Sequence, residues 1–287
     1  MTVYLNGDYL PLEEARISPM DRGFLFGDGV YEVIPVYSRR PFRQAEHLAR
    51  RGRSLAAIQL PNPLAEEGWS QVVQHLIGTE AAEDQAVYLQ VTRGAAPIRD
   101  QAFPQPPVPP TVFAFAAPLV TSSPEVLARG VSAITTPDYR WQRCDLKVLS
   151  LVANVLLRQQ SVDAGCAETI MLRDGFLSEG SSSNIMVVRN GILVAPPKSH
   201  LILPGVTYDV VLELAAAHGL PHELRPVSEA ELRSADEVWI TSSTKEVLPV
   251  TRLDDQPVGA GVPGPVGQQM IAWYQDFKRQ IMRHADR

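Results

Sequence analysis

Asp145-Leu146-Lys147-Val148-Leu149-Ser150-Leu151-Val152-Ala153-Asn154-Val155-Leu156-Leu157 sets one lysine just before a long apolar stretch with the character of a helix. The chain holds only four lysines (Lys147, Lys198, Lys245, Lys278) against more than twenty arginines, so each lysine asks for a reason. Arginine is the better fixed charge, because it stays protonated and forks to anions. Lysine can lose its proton, attack a carbonyl carbon and form a Schiff base. Burial beside an apolar helix favours the uncharged, nucleophilic amine. The plainer reading is a half-exposed lysine at a helix start, and the surrounding chain decides between the two.

On the N-terminal side, Thr2 to Leu10 reads as two short strands around an Asn6-Gly7 turn. Asp21-Arg22-Gly23-Phe24-Leu25-Phe26-Gly27-Asp28-Gly29-Val30 mixes three glycines with aromatics, which suggests tight packing near a functional or interface surface. Its spacing is that of neither a phosphate loop nor a dinucleotide fingerprint. Val30 to Tyr37 alternates as a strand, with Tyr31, Val33 and Pro35 on one face and Glu32, Ile34 and Val36 on the other. A helix over 45–58 carries arginines, including Arg50, that read as a solvated face with one candidate anion clamp. A second helix over 69–78 ends at Gly78, and strands follow at 86–92 and 111–116. The proline-rich 104–110 run between those strands reads as a stiff connector. The Pro118–Pro124 stretch divides the chain into domains 1–118 and 125–287 with a linker at 119–124. Beyond Lys147 the expected helix reaches about Ala164, and further strands and helices follow without regular βαβ alternation. The fold class is therefore α+β or mixed α/β in two domains.

The chain's 287 residues allow two domains, and 45% hydrophobic with 20% charged residues is a globular composition. A net charge of −6 argues against nucleic acid as a partner. No apolar run approaches a membrane span, and the start lacks the pattern of a signal peptide. Cys144 and Cys166 form no C-x-x-C and fit a reducing cytoplasm. No metal site is expected, since Gly219 and Pro221 break the helix between His218 and His222.

Three features could each meet one part of a phosphorylated aldehyde cofactor: Lys147 the aldehyde, Glu179 a ring nitrogen, and Val206-Thr207 with Ser242, Ser243 and Thr244 a phosphate. Each has a plainer alternative, a loop for the hydroxyl cluster and a solvated turn acid for Glu179. In combination, Gly23-x-x-x-Gly27-Asp28-Gly29-Val30-Tyr31-Glu32, Glu46-His47-x-x-Arg50, Cys144-Asp145-Leu146-Lys147, Ser178-Glu179-Gly180-Ser181-Ser182-Ser183-Asn184, Leu203-Pro204-Gly205-Val206-Thr207 and Thr241-Ser242-Ser243-Thr244-Lys245-Glu246 resemble the class IV (fold-type IV) aminotransferases over nearly the whole chain, most closely their D-amino-acid branch.

That resemblance implies a small N-terminal α/β domain, a larger barrel-like C-terminal domain, pyridoxal 5′-phosphate and a homodimer. It implies Lys147 as the aldimine-forming residue, which then shuttles a proton between the substrate α-carbon and C4′ of the cofactor. Glu179 would meet the pyridine nitrogen, and Arg50, Val206, Thr207, Ser242 and Ser243 the phosphate. Tyr31 and Val33 would line the substrate pocket, and a loop from the neighbouring subunit would complete it. The expected activity is amino-group transfer from D-alanine-like donors to 2-oxo acids such as 2-oxoglutarate or pyruvate. Branched-chain L-amino-acid transaminase, (R)-amine transaminase and aminodeoxychorismate lyase share the same cofactor residues, and a non-catalytic binding protein is the reading from another class.

The family's best-known D-specific members carry arginine and, two residues on, histidine on the carboxylate-binding loop. Here Arg99 is present and Gln101 takes the histidine's place. A neutral amide in place of a charge-assisted donor should cost on the order of 1 kcal/mol. Gln101→His is therefore expected to lower the KM for D-amino acids, and an unchanged KM would contradict this reading of the loop.

Overall fold

The structure is a computed structural model and describes residues 1–284. Backbone contacts divide it into two units. The first comprises Met1–Val120, Leu146–Leu151 and the described residues from Met282, and the second Thr121–Asp145 with Val152–Ile281.

In the first unit, β1 (Thr2–Leu5), β2 (Asp8–Pro11), β3 (Gly29–Tyr37), β4 (Arg40–Pro41), β5 (Gln85–Thr92) and β6 (Thr111–Pro118) form an antiparallel sheet in the order β2-β1-β6-β5-β3-β4. A short helix α1 (Arg22–Phe26) precedes β3, and α2 (Gln44–Ala57) and α3 (Glu66–Thr79) lie between β4 and β5. Leu48, Leu55, Trp69, Val72, Val73 and Leu76 from those two longer helices pack with Ile34, Val87, Leu89 and Ala114 of the sheet. The alternation expected in β3 is present: Glu32 and Ile34 are wholly buried, while Tyr31 and Val33 are partly exposed. An aromatic row runs across the strands from Tyr31 to Tyr88 to Phe115, with centroid spacings of 5.8 and 5.1 Å.

The second unit holds β7 (Val131–Pro137), β8 (Glu168–Arg173), β9 (Phe176–Gly180), β10 (Asn184–Arg189), β11 (Ile192–Ala195), β12 (His222–Leu224), β13 (Glu237–Ser242), β14 (Glu246–Leu253) and β15 (Gln256–Pro257). These make a mixed, half-barrel sheet in the order β12-β11-β10-β13-β14-β7-β8-β9, with β15 on β14. Its helices are α4 (Pro124–Arg129), α5 (Val152–Asp163), α6 (Val206–Ala217), α7 (Glu229–Arg233) and α8 (Pro265–Phe277). Ile170, Ile185, Val187, Val194, Val238, Ile240 and Leu248 form its core.

The organising stretch differs from its reading in sequence. Lys147 does not start the helix, because α5 begins only at Val152. Residues 147–149 instead run as an extended segment along the start of β3. Tyr31 N–H donates to the Lys147 carbonyl (3.1 Å), Leu149 N–H donates to the Gly29 carbonyl (3.0 Å), and Val30 faces Val148. These bonds are why Leu146–Leu151 groups with the first unit, where a contiguous division would leave it in the second. α3 starts three residues before the expected 69 and ends at Thr79, one residue past Gly78, and Thr241-Ser242 ends a strand instead of forming a loop. The arginines of α2 are not uniformly solvated, as Arg50 and Arg51 are buried.

Gly29 is required by close approach. A Cβ there would lie 2.5 Å from the Val91 carbonyl oxygen and 2.7 Å from Leu149 Cδ1. Gly29→Ala is expected to lower stability by about 1–3 kcal/mol, read as a lower urea midpoint. An unchanged midpoint would show that the 147–149 segment does not need this fit.

Candidate active site

Lys147 lies opposite Tyr31 in the short ladder with β3, and its Nζ sits 4.1 Å from the centroid of the Tyr31 ring. Its backbone N–H also donates to Ser54 Oγ of α2 (3.1 Å), which fixes the lysine from the helix side. The lysine is half-buried, so its amine is reachable.

On the other face of β3, Glu32 is completely buried and receives two donors from Arg50: Nε to Oε2 at 3.0 Å and Nη2 to Oε1 at 2.6 Å. His47 Nδ1 approaches Oε1 at 3.1 Å. Burial alone would raise the Glu32 carboxyl, but the charge of Arg50 and the contact with His47 hold it well below the usual range. Burial pushes His47 down, against the pull of Glu32. In this structure Arg50 is thus gripped by Glu32, and the phosphate role expected of it would be shared with that contact.

Glu179 is a strand residue of β9 and 4% exposed, not a solvated turn acid. Its Oε1 accepts from Arg140 Nη1 (2.6 Å), and its Oε2 accepts from Asn184 Nδ2 (3.1 Å) and the Leu203 N–H (3.0 Å). Arg140 simultaneously donates through Nε and Nη2 to Asp138, which also accepts from Ser178 Oγ. Because Arg140 divides its charge, burial prevails and pushes the Glu179 carboxyl up to about 7.

Val206 and Thr207 open α6, where first-turn N–H groups have no preceding helical carbonyl to bond. Gly205 caps this helix, and a Cβ there would fall 2.2 Å from Asn184 Oδ1, which ties the helix start to the Glu179 neighbourhood. Ser242 and Ser243 sit at the turn between β13 and β14, where Ser242 Oγ accepts from the Lys245 N–H (3.0 Å). Lys245 Nζ pairs with buried Glu168 at 2.8 Å. Arg99 and Gln101 are exposed; Arg99 stacks over Phe26, and the Gln101 carbonyl accepts from Arg22 Nη2. The contacts of Arg99 and Gln101 are therefore with α1, while Tyr31 and Lys147 meet each other. Sequence reading missed Asp138, Arg140 and Glu32 as partners. The Asp138-x-Arg140 spacing after a strand was the only signal for the first two.

The chain matches the family Amino-transferase class IV over residues 29–253. It belongs to the class IV aminotransferases. It is 41% identical over 266 residues to a D-alanine aminotransferase of Bacillus licheniformis, covering 93% of each chain. With a D-alanine aminotransferase of Staphylococcus epidermidis it shares 37% identity over 283 residues, 99% of each. Among solved structures it resembles the branched-chain aminotransferase of the thermophilic archaeon Thermoproteus uzoniensis with norvaline, with a TM-score of 0.84 and 25% identity over 99% of this chain and 95% of that one.

Because the folded-state pKa of Glu32 is depressed, its stabilisation is complete above the ordinary carboxyl value of 4.5 and declines as the pH falls below it. Glu32→Gln is expected to lose about 3 kcal/mol at pH 7, since it leaves the buried Arg50 charge uncompensated. The gap to wild type should narrow progressively below pH 4.5 in urea titrations. A gap that stays constant down to acid pH would contradict this.

Proposed function

We propose that this class IV aminotransferase moves the amino group of D-alanine-like D-amino acids to 2-oxo acids such as 2-oxoglutarate or pyruvate, with pyridoxal 5′-phosphate attached at Lys147. The observation that carries the reading is the reachable Lys147 amine held over Tyr31. The likeness to D-alanine aminotransferases over nearly the full chain favours D-amino acids over the branched-chain substrates of the more distant structural relatives.

The donor set fits the cofactor: a primary amine for its aldehyde, a buried acid for its ring nitrogen, and hydroxyl and first-turn N–H donors for its phosphate. When bound, the cofactor supplies an electron sink for the pair left when the substrate α-carbon loses its proton. Lys147 Nζ would hold the cofactor's aldehyde and, as a free amine, would take up and return the substrate α-proton. Glu179 would face the ring nitrogen and favour its protonated form. Its raised pKa is a consequence of burial with a shared Arg140, and a second cation beside it would favour the ionised form. Arg50, Val206, Thr207, Ser242 and Ser243 would hold the phosphate. Tyr31 and Val33, partly exposed on one face of β3, would border the substrate, and Arg99 and Gln101, on the loop that each subunit lends to its neighbour, would meet its carboxylate.

A homodimer is the assembly that this reading favours. Val152, Val155, Leu156 and Val162 of α5 are 73%, 61%, 54% and 50% exposed, an apolar set too regular for a solvated helix. Free Cys144 and Cys166 are consistent with a reducing cytoplasm.

The test is a half-reaction. The protein is saturated with pyridoxal 5′-phosphate without oxo acid, D-alanine or L-leucine is added, and the cofactor absorption is followed. Conversion to the pyridoxamine form with D-alanine alone is expected, and Lys147→Ala should slow it by on the order of a thousandfold or more. Conversion with L-leucine alone would overturn the D-amino-acid assignment.

A further inference from the structure

Between β5 and β6 the chain runs through residues 93–110 without regular secondary structure, and Arg99 and Gln101 are exposed on it. A connection of that length carries large conformational freedom unless something holds it. Here the holding is done by Arg22, a residue of α1 that is only 3% exposed. Its Nη1 donates to the carbonyls of Asp100 and Ala102, the latter at 3.1 Å, and its Nη2 donates to the carbonyl of Gln101 at 3.0 Å. Three consecutive carbonyls thus converge on one guanidinium, while its Nε donates to Asp28 Oδ2 at 2.8 Å.

Asp28 is the anchor of the arrangement. It also accepts from Arg93 Nε (2.8 Å) and Nη2 (3.0 Å). Burial opposes its ionisation, but the hydrogen bonds from Arg93 and Arg22 hold its carboxyl below the usual range. Arg93 in turn donates to the carbonyls of Ile58 and Gln59 at the end of α2 and lies 3.8 Å from the centroid of the Phe103 ring. The segment is therefore held at 100–102 by Arg22 and at Phe103 by Arg93, both braced on one carboxylate. The Phe26 ring completes the clamp, with Arg22 at 5.0 Å and Arg99 at 4.9 Å from its centroid. Arg22 itself is located by α1, whose cap Asp21 accepts from the Gly23 N–H and from the hydroxyls of Thr92 and Thr111 at the ends of β5 and β6.

We propose that Arg22, braced by Asp28, is a positioning residue for substrate recognition: it sets the backbone at 100–102 and so presents Arg99 and Gln101 to the carboxylate of the amino-acid substrate. This rests on the reading of Arg99 and Gln101 as carboxylate contacts. Arg22 acts through the loop and leaves the cofactor contacts alone. A planar fork is needed to reach three carbonyls and a carboxylate together, which a lysine cannot reproduce.

The experiment uses holoenzyme of wild type, Arg22→Lys, Arg99→Ala and the double variant, with kinetics on D-alanine and amide hydrogen exchange across 97–103. Arg22→Lys is expected to raise KM about tenfold with kcat within about twofold, to speed exchange in the loop, and to leave the cofactor absorption unchanged. In the Arg99→Ala background the same change should add only the smaller part that runs through Gln101. Unchanged KM and exchange in Arg22→Lys, beside a raised KM in Arg99→Ala, would overturn the positioning role and leave the functional reading standing. A full effect of Arg22→Lys in the Arg99→Ala background would also overturn it. An unchanged KM in Arg99→Ala would remove the carboxylate role of the loop and the proposal with it. If Arg22→Lys does not fold, Phe103→Leu, which removes the ring under Arg93, should shift KM and exchange in the same direction by a smaller factor. No shift in either would refute the clamp.

Discussion

The pairing of Val148 with Val30 is the constraint on which the site depends. Two backbone hydrogen bonds, Tyr31 N–H to Lys147 and Leu149 N–H to Gly29, put an otherwise irregular segment in register with β3. Register then decides everything nearby, because a slip of one residue would turn every side chain of the segment to the opposite face. With this register Lys147 lies over Tyr31, and Val148 enters the hydrophobic core of the sheet and helices. The absence of a Cβ at Gly29 lets the segment close, and Ser54 anchors it from α2. That helix also carries Arg50, so the same contacts relate the lysine to the arginine bound by Glu32.

Three carboxylates, Glu32, Asp28 and Glu179, differ by how completely their arginines are committed. Glu32 receives two prongs from Arg50 and a contact with His47, and it is held ionised. Asp28 is bracketed by Arg22 and Arg93 and is likewise held down. Glu179 has only one prong of Arg140, because the other nitrogens serve Asp138. Its carboxyl is therefore incompletely compensated and rises toward neutrality. An acid in that condition gains most from a further cation, which is what a protonated ring nitrogen offers. Full pairing would have made a purely structural ion pair, and no pairing would have left a neutral acid.

Much of this was legible in the sequence wherever local periodicity governs structure. The alternation of Val30 to Tyr37 separates Tyr31 and Val33 from Glu32 and Ile34, and the structure keeps that separation. Asn6-Gly7 likewise marks a hairpin that is present. The combination of lysine, acid and hydroxyl motifs indicated the class IV aminotransferases, a membership that the matching family supports. What escaped depends on long-range partners. The apolar residues after Lys147 suggested a buried helix beginning at the lysine, yet Val152, Val155 and Leu156 face outward and Lys147 pairs with a strand more than a hundred residues earlier. The partner of Arg50, Glu32, lies in another element, so nothing local marks that arginine as buried. Arg140 was passed over for the same reason, since nothing in its neighbourhood names Glu179.

Of the chain's four lysines, Lys147 is the one proposed to carry the cofactor. The direct measurement is borohydride reduction of the protein in the presence of pyridoxal 5′-phosphate, followed by proteolysis and mass-spectrometric mapping of the pyridoxyl group. Stoichiometric label on Lys147 alone is expected, since Lys198, Lys245 and Lys278 are each paired with a carboxylate. Label on one of those three with Lys147 unmodified, or label scattered without stoichiometry, would contradict it.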